Sequence, residues 1–162
     1  MSIVFAERAV WEYPLQRGRT RDETAEFLER RVRGWDDHGF DLWAAVERAS
    51  DELMGCIGLS VPDFLPEILP AVEVGWRLHP RYWGQGYATE GGDASLRFGF
   101  ERLGLDRIVS VYEPINEASG RVMEHLGMRF DRDTVHPERQ IPVRVLAITR
   151  AEWEARGPLE RR

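Results

Sequence analysis

Apolar positions in this chain recur first at helical spacing and then at strand spacing. Residues 4–13 carry a weak helical pattern that stops at Pro14. Thr20-Arg21-Asp22-Glu23 has the form of a capping box, with a threonine oxygen for the first-turn amides and a glutamate three residues on to reciprocate. Behind it Ala25, Leu28, Val32 and Trp35 repeat at helical intervals, which predicts an amphipathic helix over about residues 21–36 with these four as its apolar face. Phe40, Leu42, Ala44 and Val46 then alternate as a strand does. Ser50-Asp51-Glu52 turns the chain, and residues 53–60 form the second arm of a predicted hairpin.

Residues 61–70 hold three prolines (Pro62, Pro66, Pro70) among Phe64, Leu65, Ile68 and Leu69, the composition of a structured lid or binding loop. Val72, Val74, Trp76 and Leu78 alternate with Glu73, Gly75 and Arg77, which reads as a strand. After a break at residues 79–86, Ala88, Leu96, Phe100 and Leu103 suggest a helix ending at Gly104. Residues 107–112 form a further strand stopped by Pro114. Residues 116–126 make a short helix closed by Gly127, and residues 143–149 are a last strand before a charged tail at 151–162. Residues 1–150 therefore read as one α/β domain, a mixed sheet with one central strand–helix–strand crossover.

Length changes this picture little: 162 residues make one domain with a real core. Charge excludes more. The 22 basic and 28 acidic residues leave a net charge of −6, the wrong sign for a nucleic-acid binder that works by bulk electrostatics. Every one of those 22 basic residues is arginine, so a phosphate-binding lysine of the P-loop type and Schiff-base chemistry are both excluded. The single cysteine, Cys56, excludes an internal disulfide and any multi-cysteine metal site. No apolar run is long enough to span a membrane and no export signal is recognisable, so the expectation is a cytoplasmic protein with no membrane, nucleic-acid or metal partner.

Chemistry concentrates between Glu73 and Gly127. Arg81-Tyr82-Trp83-Gly84-Gln85-Gly86-Tyr87-Ala88-Thr89-Glu90 follows a strand and opens a helix. Gly84 and Gly86 allow a tight turn and close approach of the backbone to a ligand. The unpaired amides of the helix start favour an anion, a phosphate or pyrophosphate being the natural guest. A dinucleotide fingerprint would want glycine where Thr89 stands, and a turn without a ligand fits Gly-x-Gly alone equally well.

The whole run separates these readings. Arg81-x-x-Gly84-x-Gly86-x-Ala88 resembles the Arg/Gln-x-x-Gly-x-Gly/Ala acyl-CoA signature of the GNAT superfamily of N-acetyltransferases. Glu73-Val74-Gly75-Trp76-Arg77-Leu78 is similar to that family's central strand. Pro114-x-Asn116-x-x-Ser119 and Val122-Met123-x-x-Leu126-Gly127-Met128 resemble the strand end and helix that follow it. Trp83-Gly84-x-Gly86-Tyr87-Ala88-Thr89-Glu90 is closest to the subgroup of ribosomal-protein N-terminal acetyltransferases. The resemblance implies a splayed sheet holding acetyl-CoA and a transfer to a primary amine, on a protein N-terminus or a small molecule. Backbone groups of Trp76, Arg77 and Leu78 would pair with the pantetheine arm. Arg81, Gly84, Gln85, Gly86, Tyr87, Ala88 and Thr89 would hold the pyrophosphate, and Asn116 would bond the pantetheine or nearby water. A non-catalytic acyl-CoA-binding or regulatory module is the alternative.

Transfer to an amine of pKa about 10 needs a base, and a thiolate leaving group of pKa about 8.5 is helped by an acid. Glu73, on the strand face opposite Val74 and Trp76, is the candidate base, with a solvated or arginine-paired glutamate as the plain alternative. Ser119 is the candidate acid and Tyr112 a second one. His136 is expected as an exposed loop residue, His79 as a turn former, His125 on a helix surface, and Cys56 as a small buried hydrophobe. Acceptor choice is expected in residues 61–70 and 135–142. The family's usual opening strand is not legible here, and the sheet edge this would leave open suggests a homodimer.

Overall fold

The capping box forms in full. In the computed structural model, which describes residues 1–13 and 16–159, Thr20 accepts from the Glu23 amide and the Glu23 carboxylate accepts from the Thr20 amide. The helix so started, α2, runs Arg21–His38 and closes at Gly39 in the left-handed region (φ 73°). Before it come a short helix α1 (Ser2–Ala6) and a single 3₁₀ turn (Arg8–Trp11), while Pro14 lies outside the described residues.

Strands β1 (Leu42–Val46), β2 (Leu53–Ser60), β3 (Glu73–Leu78), β4 (Arg107–Tyr112), β5 (Arg129–Val135) and β6 (Pro142–Thr149) form one sheet in the order β1-β2-β3-β4-β6-β5. All neighbours are antiparallel except β3 and β4, which the crossover helix makes parallel. That helix, α3 (Tyr87–Arg97), continues into a π turn at Phe98–Arg102. Helix α4 (Glu117–His125) follows β4, and α5 (Arg150–Arg156) follows β6.

The two sheet faces are covered differently. Helices α3, α4 and α5 lie over a core of Leu59, Val74, Leu96, Phe100, Ile108, Met123 and Leu126. On the other face Phe5, Trp11 and Phe27 meet edge-on around Cys56, and the proline-rich loop drops Leu65 onto Val109, Val143 and Val145. The residues expected as the apolar face of α2 are mostly outside: Ala25, Leu28 and Val32 are exposed and Trp35 is half-buried, whereas Thr24 and Phe27 are buried. The aromatic pair Phe5–Trp11 draws Phe27 inward, and this fixes the rotation of the helix more strongly than its own stripe does.

Two further expectations need correcting. Strand β5 was not legible, because Arg129-Phe130-Asp131-Arg132-Asp133-Thr134-Val135 has no inward face; it is an edge strand held by β6 and by cross-strand bonds from Arg144 to Asp133. The charged tail is instead a docked helix through Arg156. Thr149 and Glu152 cap α5, Trp153 packs on Phe100 at 5.3 Å, and Arg156 reaches Asp93 at 2.6 Å. Among the described residues no strand precedes β1, which forms one edge of the sheet, and no helix is long and apolar enough to cross a membrane.

Candidate active site

Strands β3 and β4 pair at one position, Glu73 opposite Val109, with Val109 N–H donating to Val72 C=O at 2.9 Å. The next bond of a parallel ladder would join Val111 N–H to Val74 C=O. Both groups are taken by side chains instead. The Glu73 carboxylate accepts from Val111 N–H at 3.3 Å, and Ser110 Oγ donates to Val74 C=O at 2.8 Å. Two side chains therefore end the ladder, and beyond them the strands part.

By strand alternation the backbone groups of Trp76 and Leu78 face the opening so made, while those of Gly75 and Arg77 pair towards β2. Trp83 is 52% exposed and donates its indole N–H to Leu78 C=O at 2.8 Å. Ser110 is buried, so Ser110→Ala leaves the Val74 carbonyl without its partner. The expected loss is about 1–3 kcal/mol of stability by urea unfolding. A wild-type midpoint would show that β4 re-pairs with β3 instead.

Below the opening the chain turns through residues 79–86. His79 accepts from Arg81 N–H, as a turn former should. Gly84 (φ 72°) and Gly86 (φ 87°) both need the left-handed region, and neither would meet an atom within 4 Å of an added Cβ. Gly86 is the N-cap of α3, so the amides of Tyr87, Ala88 and Thr89 carry no intrahelical acceptor. Several expected side-chain roles look elsewhere. Arg81 pairs with Glu52 at 2.8 Å, Tyr87 donates to Glu47, and Gln85 donates to Arg81 C=O, so what this turn offers a ligand is chiefly backbone. A chain of amides at a helix start, with open space over both glycines, fits a pyrophosphate.

The two arms of the opening carry the candidate acid and base on opposite sheet faces. Glu73 is desolvated at its carboxylate. Burial pushes its pKa up to about 7, against the Val111 amide and the charges of Arg77 and Arg31, which pull it down. Asn116 caps α4 by accepting from Ser119 N–H at 3.2 Å, so its side-chain oxygen is already engaged. Ser119 is half-buried in the first turn of α4, and Tyr112 lies against Gly120 in the same helix. No hydrogen bond joins Glu73 to Ser119 among the described residues.

Of the histidine and cysteine expectations, one differs. His136 is 5% exposed, not a surface loop residue; it stacks on Phe64 at 5.6 Å and accepts from Arg139 N–H at Nδ1, and burial lowers its pKa. This stack ties together the two loops assigned to acceptor choice. Cys56 is buried with its thiol pushed up to about 12, which leaves it inert as expected. Sequence reasoning missed Ser110, although one polar residue inside Ile-Val-Ser-Val-Tyr was a signal for it. It also missed the arrangement around Trp11, which has no sequence signal.

A sequence profile described as an acetyltransferase (GNAT) domain matches residues 2–129. The chain is 32% identical over 110 residues to the uncharacterized protein YkkB of Bacillus subtilis, covering 68% of this chain and 63% of that one. It is 39% identical over 87 residues to the FsC-acetyl coenzyme A-N(2)-transacetylase of Aspergillus fumigatus, covering 50% of this chain and 37% of the relative. The matches thus span under two thirds of these relatives' own lengths. In fold, the chain is similar to a spermidine N-acetyltransferase from Vibrio cholerae solved with CoA and spermine, with a TM-score of 0.73, 17% identity, and 94% and 89% of the two chains covered.

Proposed function

The chain belongs to the GNAT acetyltransferase family, and from that premise we propose that it transfers an acetyl group from acetyl-CoA to a primary amine, on a small molecule or a protein N-terminus. The observation that carries this reading is the single-pair junction of β3 and β4 with a desolvated carboxylate, Glu73, at its apex.

Acetyl-CoA supplies the activated acetyl thioester. Residues of this chain do the rest. Backbone groups of Trp76 and Leu78 line the arm that receives the pantetheine; those of Arg77, expected to join them, are turned to β2 by strand alternation. The turn from Arg81 through Gly84, Gln85 and Gly86 to Tyr87, Ala88 and Thr89 holds the pyrophosphate, and Asn116 bonds the pantetheine or nearby water through its amide nitrogen. Glu73 Oε removes the amine proton on one face of the sheet, and a carboxylate of pKa about 7 is half in its basic form at neutral pH. Ser119 Oγ donates a proton on the other face, at the head of α4.

Thermal unfolding with acetyl-CoA tests the binding half. At about 100 times its dissociation constant the ligand should stabilise the fold by about 2.7 kcal/mol. Thr89→Glu should abolish that shift while leaving the unliganded protein as stable, because a carboxylate in the first turn of α3 suits the helix dipole but repels phosphate. Absence of any shift in a folded wild type would sink the proposal. Thiol release with a panel of amines then tests turnover, and binding without turnover would favour a regulatory module.

A further inference from the structure

The face of β3 that carries Glu73 also carries Gly75 and Arg77, two and four residues on. An added Cβ at Gly75 would meet no atom within 4 Å, so the strand here is the floor of an open trough. Glu73 stands at one end, and Arg77 stands at the other, about 13 Å along the strand. Arg77 donates to Val10 C=O and Tyr13 C=O, both from Nη1; its Nε and Nη2 have no hydrogen bond among the described residues.

The Arg77 end is rich in donors and poor in acceptors. Arg77 and Arg19 each stack on Trp11, at 4.3 and 4.1 Å from the ring centroid; Glu23 and Glu26 act on Arg19 and Glu73 on Arg77 only at longer range, and neither guanidinium forms an ion pair with a carboxylate among the described residues. Arg19 Nε and the Trp11 indole N–H are both buried without a hydrogen bond, and Trp11 itself is 2% exposed. Unpaired buried donors of this kind are costly unless something accepts from them. Two guanidiniums and an indole N–H together call for an acceptor-only anion, and a carboxylate is the common group of that chemistry.

Resting on the acetyl-transfer reading above, we infer that the acceptor is a small zwitterion lying in the Glu73–Gly75–Arg77 trough, with its amine at Glu73 and its carboxylate at Arg77, Arg19 and Trp11. Charge sets the orientation: the guanidiniums of Arg77 and Arg19 repel the ammonium that the Glu73 end attracts. A polyamine, cationic at both ends, meets Arg77 and Arg19 with like charge.

The test uses glycine, β-alanine, 4-aminobutyrate and 6-aminohexanoate, each against its own carboxamide, with spermidine as the cationic amine. At least one acid should be acetylated with a KM about tenfold or more below that of its amide, since charge-assisted bonds are worth that much. Arg19→Met should raise KM for the acid and leave kcat, and leave both constants for the amide. Gly75→Val, which needs no special backbone conformation, should fill the trough, abolish acceptor turnover and keep the acetyl-CoA thermal shift. The Trp11 indole N–H resonance, assigned through Trp11→Phe, should move on titration with the best acid and not with its amide, with or without acetyl-CoA. Equal use of acids and amides, preference for spermidine, an unmoved indole resonance, or Gly75→Val acting at wild-type KM would each overturn the inference. A missing acetyl-CoA shift would overturn the transfer reading alone, since the indole titration does not depend on it.

Discussion

Glu73→Gln should lower kcat/KM by about 10²- to 10⁴-fold, the range for loss of a positioned general base, while the acetyl-CoA thermal shift stays. The same substitution should remove a pH dependence. With a carboxyl pKa of about 7, wild-type kcat/KM rises with pH through that value as the carboxylate forms, and the glutamine variant should lack that limb. Stability runs the other way. The folded protein holds this proton more tightly than the unfolded chain, whose value is near 4.5, so the stabilisation is complete below 4.5 and is lost as pH rises towards 7. A shift of that size corresponds to about 3 kcal/mol. Urea unfolding at pH 5 and pH 8 should show the slope in wild type and a shallower one in the glutamine variant. A variant with wild-type rate and profile would remove Glu73 from the chemistry.

Gly55→Ala should cost about 2–6 kcal/mol, the combined range for a residue forced into a sparsely allowed backbone region and for an overpacked contact. Gly55 sits in β2 with φ 149°, beside the pairing irregularity at Ala45 and Val46, and its added Cβ would lie 2.0 Å from the Arg77 carbonyl oxygen. That oxygen is fixed backbone, so β3 must move away from β2, carrying the Glu73 and Arg77 side chains with it. Lowered stability with weakened acetyl-CoA and acceptor binding is the expected combination, read by urea unfolding and thermal shift. An alanine variant with wild-type stability would mean that this edge of the sheet relaxes freely.

The local signals in the chain proved dependable where one element alone could satisfy them. Thr20 and Glu23 close their capping box within one helical turn. Gly84 and Gly86 take left-handed conformations whatever packs nearby, and the alternation of Val74, Trp76 and Leu78 against Glu73, Gly75 and Arg77 needs only a pleated strand. The family motif between residues 73 and 127 is built from such local pieces, which is why it was legible. Strand β5 was not, because an edge strand exposed on both faces carries no burial pattern to read.

What remained hidden depended on partners far away in the chain. The stripe Ala25, Leu28, Val32 and Trp35 describes α2 correctly as a helix, but its rotation was decided by Phe5 and Trp11, which recruited Phe27. His136 became buried because Phe64, 72 positions earlier, offered it a ring to stack on. The parting of β3 from β4 depends on Glu73 and Ser110 each taking a backbone group across the junction, 38 and 36 positions apart in sequence. By itself the sequence determined the elements, the glycine turn and the identity of the groups able to do chemistry, since these follow from short-range sterics and residue type. Tertiary structure alone decided which of those groups lose their water: desolvation raised Glu73 towards neutrality and lowered Arg77 and Arg19 where they stack on Trp11, and it depends on everything packed around a charge, not on its neighbours in the chain.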